Sequence, residues 1–299
     1  MIDLHVHTRC SDGTLSPEEV VRLAATRGLK ALAITDHDTV LGVSAAAREG
    51  NEQGIEVVPG LEISSQWDQG IMHILGYFID IDHPELLKAL DFLRKGREAR
   101  TPRIVSALRE LGLSISVEEI EKEAGEGVQG RPHVANVMVR RNLVIDRQQA
   151  FDLYLGKGAP AYVDKVKLPP LESLKLINKV GGIAVLAHPY SLEQADIAGL
   201  EKILKHLAAN GLQGIEAYYP GHTQEQTRIY TELARKMDLV VTGGTDFHGD
   251  NKPGIELGVV PGFGPLPYSL LEDVKSRLER GLPGKSVNSP IPTSGSGSA

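Results

Sequence analysis

The chain holds ten histidines but a single cysteine, Cys10, so a bound metal would be held through nitrogen and oxygen. His5-Val6-His7 opens the set of candidates. Imidazoles two residues apart at the end of a strand leave the same face and can converge on one ion. Alone, the pair also fits two half-buried polar residues. The pattern continues with Asp12 in a Ser-Asp-Gly turn, and with Thr35-Asp36-His37-Asp38. Glu62 follows Pro59-Gly60, His73 lies in a later apolar run, His188 sits in Ala187-His188-Pro189, and Asp246-Phe247-His248 ends the series. Six imidazoles and three carboxylates crowded together need cations to offset their desolvation and repulsion. Nine groups exceed what one ion requires. At about four to six ligands per ion, with waters and bridging groups, they suit two or three divalent ions. Mixed nitrogen and oxygen donors favour Mn²⁺, Fe²⁺ or Zn²⁺ over Ca²⁺ or Mg²⁺.

The elements that must position these groups are legible as seven apolar runs: Ile2 to His7, Ala31 to Thr35, Glu56 to Ile63, Ile71 to Phe78, Ile183 to Ala187, Gly214 to Tyr218 and Leu239 to Gly243. Amphipathic stretches separate most of them, the pattern of β/α units around a parallel sheet. Ser16-Pro17-Glu18-Glu19 reads as the clearest helix start, with an N-cap, a first-turn proline and a capping-box glutamate. Nearly every candidate falls at or beyond the C-terminal end of a run, and in a parallel barrel those ends form one face, where active sites are built. Between Phe78 and Ile183 the strand pattern lapses into candidate helices at Leu86 to Leu111, Ser116 to Glu123, Arg131 to Asn142 and Asp146 to Leu155. Residues 81–167 are thus expected to be an inserted helical lid, residues 1–80 and 168–288 the barrel, and residues 289–299 a disordered tail.

A chain of 299 residues, 41% hydrophobic, can bury a large core. The net charge of −7 argues against generic attraction to nucleic acid, yet residues 90–167 carry 14 Lys and Arg against 11 Asp and Glu, leaving 18 against 28 elsewhere. No apolar run reaches membrane-spanning length and the chain starts on a strand-like segment, so no membrane association and a cytoplasmic location are expected. No obligate protein partner is evident. One cysteine excludes an internal disulfide.

His5-x-His7, Thr35-Asp-His37-Asp, Glu62, His73, His188 and Asp246-x-His248 resemble the motif set of the PHP (polymerase and histidinol phosphatase) metallophosphoesterases. The resemblance implies an α/β fold, a distorted (β/α)7 barrel here carrying the inserted helical lid subdomain. It assigns His5, His7, Asp12, His37, Glu62, His73, His188, Asp246 and His248 to a trinuclear metal site, with Mn²⁺ the first expectation and Fe²⁺ or Zn²⁺ next. Gly130-Arg-Pro-His-Val-Ala135, Ala150-Phe-Asp-x-Tyr-Leu155 and Ala159-Pro-Ala-Tyr-Val163 resemble a bacterial branch acting on AMP, on nucleoside 3′,5′-bisphosphates and, as 5′→3′ exonucleases, on short 5′-phosphorylated RNA. Catalysis would then use a metal-bound hydroxide and no side-chain nucleophile. A histidinol-phosphatase-like enzyme and a non-catalytic metal or nucleotide sensor are the alternatives. An amidohydrolase also opens with HxH, but would want a metal-bridging lysine where Asp12, His37 and Glu62 stand here.

Donors for the substrate's remaining charge are expected in the insert. Arg97, Arg100 and Arg103 recur every third residue, which would stack them along one helical face, and Arg131 and His133 lie at a predicted helix start whose free amides favour anions. Lys157, His222 and Asp12 complete the substrate-contact candidates. Each of the basic groups also fits a solvated surface role. Asp38 could orient a ligand imidazole or a water, or serve only as a turn residue. Tyr218-Tyr219 could stack on a base or pack in the barrel, Cys10 fills space, and His83 and His206 read as surface or cap histidines.

Overall fold

Seven short strands form one sheet in chain order: β1 Ile2–Val6, β2 Ala31–Ile34, β3 Glu56–Ser65, β4 Met72–Tyr77, β5 Ile183–Leu186, β6 Gly214–Tyr218 and β7 Val240–Gly243. This computed structural model describes residues 1–125 and 127–281, so the tail expected at 289–299 lies outside the described residues. The sheet curls until its ends meet. His7 N donates to the Phe247 carbonyl at 2.9 Å and a parallel bridge joins Val6 to Phe247, giving the nearly closed barrel.

Helices α1 Pro17–Thr26 and α2 Val43–Gln53 cover the first strands. The capping box at Ser16 and Glu19 forms, and Val20, Val21 and Ala24 of α1 pack with Val43 and Ala46 of α2 on Val6, Leu32 and Ile34. The sheet is not wholly parallel, because β4 runs antiparallel to both β3 and β5. Only residues 66–71 link β3 to β4, and a parallel crossover needs about a dozen residues or more. The reversal places the start of β4 level with the end of β3, Ser64 pairing with His73. His73 therefore reaches the same rim as the other candidates from the opposite end of its strand.

After β4 come α3 Pro84–Glu98, α4 Thr101–Glu110, α5 Val117–Ala124, α6 Arg131–Arg140 and α7 Arg147–Ala150, the last running into a π-helical turn, Phe151–Leu155. The single helix expected from Leu86 to Leu111 is two, broken at Ala99–Arg100 ahead of Pro102, whose ring is tolerated only in a first turn. Arg97, Arg100 and Arg103 thus form no continuous row: the first two are buried and Arg103 is exposed. His83 is the N-cap of α3, its Nδ1 accepting from Glu85 N. Leu86 and Leu90 of α3 pack into the barrel's cluster with Leu61, Ile74 and Ile177, whereas Ile104, Leu108, Ile120, Val134, Met138 and Leu155 form a separate cluster. The insert's own core therefore begins after α3, later than residue 81. The chain returns to the barrel through α8 Pro170–Lys179, and α9 Ile197–Ala208, α10 Gln224–Lys236 and α11 Ser269–Gly281 complete the outer layer. Among the described residues no helix is long and apolar enough to cross a membrane.

Candidate metal centre

Alternation along β1 turns Asp3, His5 and His7 to one side, and all three are fully buried. Asp12 follows on the loop after β1 and His37 on the loop after β2, Glu62 and His73 come from within β3 and β4, and the loops after β5 and β7 bring His188, Asp246 and His248 to the same place. Glu62 is the hub. Its Oε1 lies 2.9 Å from His73 Nδ1 and 3.0 Å from His188 Nε2. Its Oε2 lies 2.9 Å from His37 Nδ1, 3.3 Å from His7 Nε2 and 3.4 Å from His5 Nε2. Five imidazole nitrogens exceed the roughly four lone-pair sites of a carboxylate. Around this hub His5, His7 and Asp246 form one group of converging donor atoms, His37, Glu62 and His73 a second, and His7, Asp12, His37 and His248 a third. Asp12 Oδ1, His37 Nδ1 and His73 Nδ1 are buried and, although His248 and Glu62 stand close, none of them makes a correctly aligned hydrogen bond. Orphaned lone pairs aimed at one another are what a cation site looks like without its cation, so the donor set fits divalent ions.

The electrostatics agree. Burial alone would lower His7, yet Asp246 and Glu62 lift it to about 9. For His73 burial outweighs Glu62 and takes it down to about 3. Burial also opposes the ionised Glu62, but His73, His37 and His5 hold it well below the carboxylate range. Asp38, His188 and Asp246 all have positive φ (55°, 25° and 52°), sparsely allowed for residues with a Cβ. Such strain persists only where the surroundings dictate it.

Three buried carboxylates outside the expected set hold this geometry. Glu216 accepts from His5 Nδ1 at 2.9 Å and from His188 N at 2.8 Å, which leaves His5 Nε2 facing the cluster. Asp3 accepts from Thr245 N and Oγ1 and from Gly258 N, tying β1 to the loop that carries Asp246 and His248. Asp36 accepts from Thr8 N, Thr8 Oγ1 and Ser11 Oγ, fixing the turn before Asp12. The signal for Asp3 and Glu216 was present: a carboxylate between apolar neighbours inside a buried strand.

A PHP domain model matches residues 3–135. Over 246 residues, 82% of this chain and 89% of the relative, the sequence is 34% identical to a 5′-3′ exoribonuclease of Haemophilus influenzae. It is 30% identical over 280 residues, 93% of this chain and 98% of the relative, to a 3′,5′-nucleoside bisphosphate phosphatase of Chromobacterium violaceum. The chain belongs to the PHP phosphoesterase family. A solved C. violaceum structure described as an amidohydrolase with bound sulfate and no metal has a TM-score of 0.82, with 31% identity over 94% of this chain and 96% of that one. Membership makes the chain a metal-dependent hydrolase of phosphate esters, and the histidine–carboxylate clusters are consistent with the metal requirement.

The basic groups of this PHP protein divide by location. A cavity of about 260 Å³ opens over the cluster, lined by Asp12, His37, Glu62, His73, Asp246 and His248, with Tyr219, Arg147 and Lys252 among its other walls. Tyr219 donates to Asp246 Oδ2 at 2.8 Å, and Lys252 pairs with the same carboxylate. Asp38 pairs with Arg97 and accepts from Ser64 N at 2.8 Å, so it anchors an arginine of α3 rather than a ligand imidazole. Lys165, missed in the sequence, donates to Ser64 Oγ beside them. Arg100 is buried against Arg97 and Arg131, and burial followed by their repulsion lowers it to about 9. Arg131 donates to the Leu155 carbonyl at 2.7 Å with its guanidinium over the Tyr162 and Phe151 rings. His133 faces a neighbouring cleft of about 790 Å³ between the β1–α1 loop and α5–α6. Lys157 is not brought to the site: its ammonium donates to the Asp68 and Gln69 carbonyls. His222 is buried behind the site, Nδ1 donating to the Ala217 carbonyl, among Tyr190, Tyr219 and Tyr230. Cys10 lines the neighbouring cleft, and burial followed by Asp36 pushes its thiol up to about 11, so it stays protonated.

Proposed function

We propose that the protein hydrolyses phosphate monoesters of nucleotides carrying a second phosphate, as in nucleoside 3′,5′-bisphosphates, and removes nucleotides from the 5′-phosphorylated end of short RNA. The observation carrying the reading is the crowding of five imidazoles on Glu62, with four basic groups, Arg97, Arg100, Arg131 and Lys165, at the junction of barrel and insert. His5, His7, Asp12, His37, Glu62, His73, His188, Asp246 and His248 hold two or three divalent ions, Mn²⁺ first among them. Ions bound there supply an activated water and polarise the phosphoryl oxygens. Glu216 keeps the His5 Nε2 lone pair available by accepting at Nδ1, and Asp38 fixes Arg97 toward the second phosphate. Arg100 and Arg131 supply further positive charge for that phosphate, which compensates their own desolvation. The exoribonuclease and bisphosphate phosphatase relatives support both substrates.

The test is phosphate and nucleoside release from adenosine 3′,5′-bisphosphate, AMP and a short 5′-phosphorylated RNA with added Mn²⁺, using Asp246→Ala as the blank. Turnover lost in the variant, with the bisphosphate favoured over AMP, supports the proposal. No turnover on any of the three by protein carrying its metal sinks it.

A further inference from the structure

The cavity over the cluster has two non-histidine cations in its wall, and they are differently placed. Lys252 is already paired with the Asp246 carboxylate. Arg147 is not paired with any carboxylate among the described residues: its Nη1 donates to the backbone carbonyl of Asn251 at 2.5 Å, and its Nε is buried without a partner. The residue belongs to the insert, at the first position of α7, yet it touches the loop after β7, 104 positions along the chain. Asn251 in turn donates to the Asp12 carbonyl at 2.6 Å, so Arg147 is latched onto the turn that carries Asp12. A half-buried guanidinium with a desolvated, unused N–H is a poor stabiliser of a resting fold. It suits an anion that arrives with the substrate.

We propose that Arg147 grips the phosphoryl group under attack, donating from the insert to a non-bridging oxygen as negative charge builds in the transition state. This is a role distinct from the Arg97–Arg100–Lys165 group, which lies on the Asp38 side and serves the second phosphate. The inference rests on the phosphoesterase reading of this cavity. Its consequence is that the insert completes the catalytic centre as well as shaping the substrate's path.

The experiment compares wild type with Arg147→Ala, Arg147→Gln and Arg147→Lys on adenosine 3′,5′-bisphosphate, measuring kcat, KM, bound Mn²⁺ and melting temperature for each. Arg147→Ala is expected to lose about 100- to 1,000-fold in kcat, the range for removing one oxyanion donor, with KM and Mn²⁺ content little changed. Arg147→Lys should recover part of the loss, as should added guanidinium ion on Arg147→Ala. Should the alanine variant not fold, the glutamine and lysine variants carry the comparison. A kcat within about threefold of wild type, or a loss that tracks falling Mn²⁺ content, overturns the proposal. A wild type inactive on every phosphoester would instead overturn the function on which it rests.

Discussion

Glu216→Gln isolates one buried carboxylate that would touch no metal and yet should govern metal affinity. Glu216 is fully buried, with Oε1 2.9 Å from His5 Nδ1 and Oε2 2.8 Å from His188 N. The carboxylate accepts at both ends. Glutamine has the same shape but one end becomes an NH₂, so it either faces the His188 N–H donor to donor or forces His5 into the tautomer protonated at Nε2. A protonated Nε2 cannot ligate. Loss of such an outer hydrogen bond to a metal-ligating histidine lowers affinity by about 10- to 100-fold, or roughly 1.4–2.8 kcal/mol. By linkage the same energy leaves the metal-loaded protein, a fall of roughly 3–6 °C in Tm for a chain this large. Competition against a fluorescent chelator gives the Mn²⁺ affinity, and calorimetry with and without metal gives the two melting temperatures. A variant that binds Mn²⁺ as tightly as wild type would refute the reasoning; so would a Tm deficit equally large without metal, since the effect would then be on packing alone.

Two further outcomes concern the basic groups. Burial opposes the ionised Asp38, but Arg97 and Lys165 hold it at about 2 against an ordinary 3.8; a depressed carboxyl stabilises the fold above pH 3.8 and loses that contribution as pH falls toward 2, about 2.5 kcal/mol in all. Asp38→Asn should flatten this acid limb in urea titrations and cost about 3–5 kcal/mol at pH 7 by leaving Arg97 buried and unpaired; an unchanged acid limb would contradict the pairing. Arg100, buried and crowded by Arg97 and Arg131, costs the resting fold stability, so Arg100→Met should raise Tm and raise KM for the bisphosphate by roughly 10- to 100-fold, and sulfate should raise the Tm of wild type but not of Arg100→Met. Retention of the sulfate effect in Arg100→Met would show that the anion sits elsewhere.

The strands were legible because each is a short buried run whose flanking glycines, prolines and polar turns punctuate it, and the histidines and carboxylates at their ends share one rim for the same reason. Orientation was not. Apolar content is indifferent to strand direction, and only the brevity of residues 66–71 signals the hairpin that turns β4 around and brings His73 to the rim. The break at Ala99–Arg100 was marked by Pro102, but the three-residue spacing of arginines masked it. Asp3 and Glu216 sat within apolar strands and could have been flagged as buried carboxylates. Arg147 and Lys165 could not. Their neighbours in sequence are ordinary solvated residues, and only the docking of the insert on the barrel brings them to Asn251 and Ser64. His222 shows the converse: a histidine in a Pro-Gly-His turn looks available for a substrate, yet tertiary packing spends its Nδ1 on the Ala217 carbonyl.

All nine groups that converge on the barrel rim lie before residue 74 or after residue 187, and the separate helical cluster lies wholly between them. The chain is therefore organised like a tool with a fixed chuck and an exchangeable bit. A helical segment of different sequence, grafted between the end of α3 and the start of α8, would leave every one of those nine positions, their buried carboxylate supports and Arg97 in place while replacing Arg100, Arg131 and Arg147. Divergence in this architecture can then change what is cut without moving any of the nine rim groups, provided the new segment returns a cation to the place of Arg147.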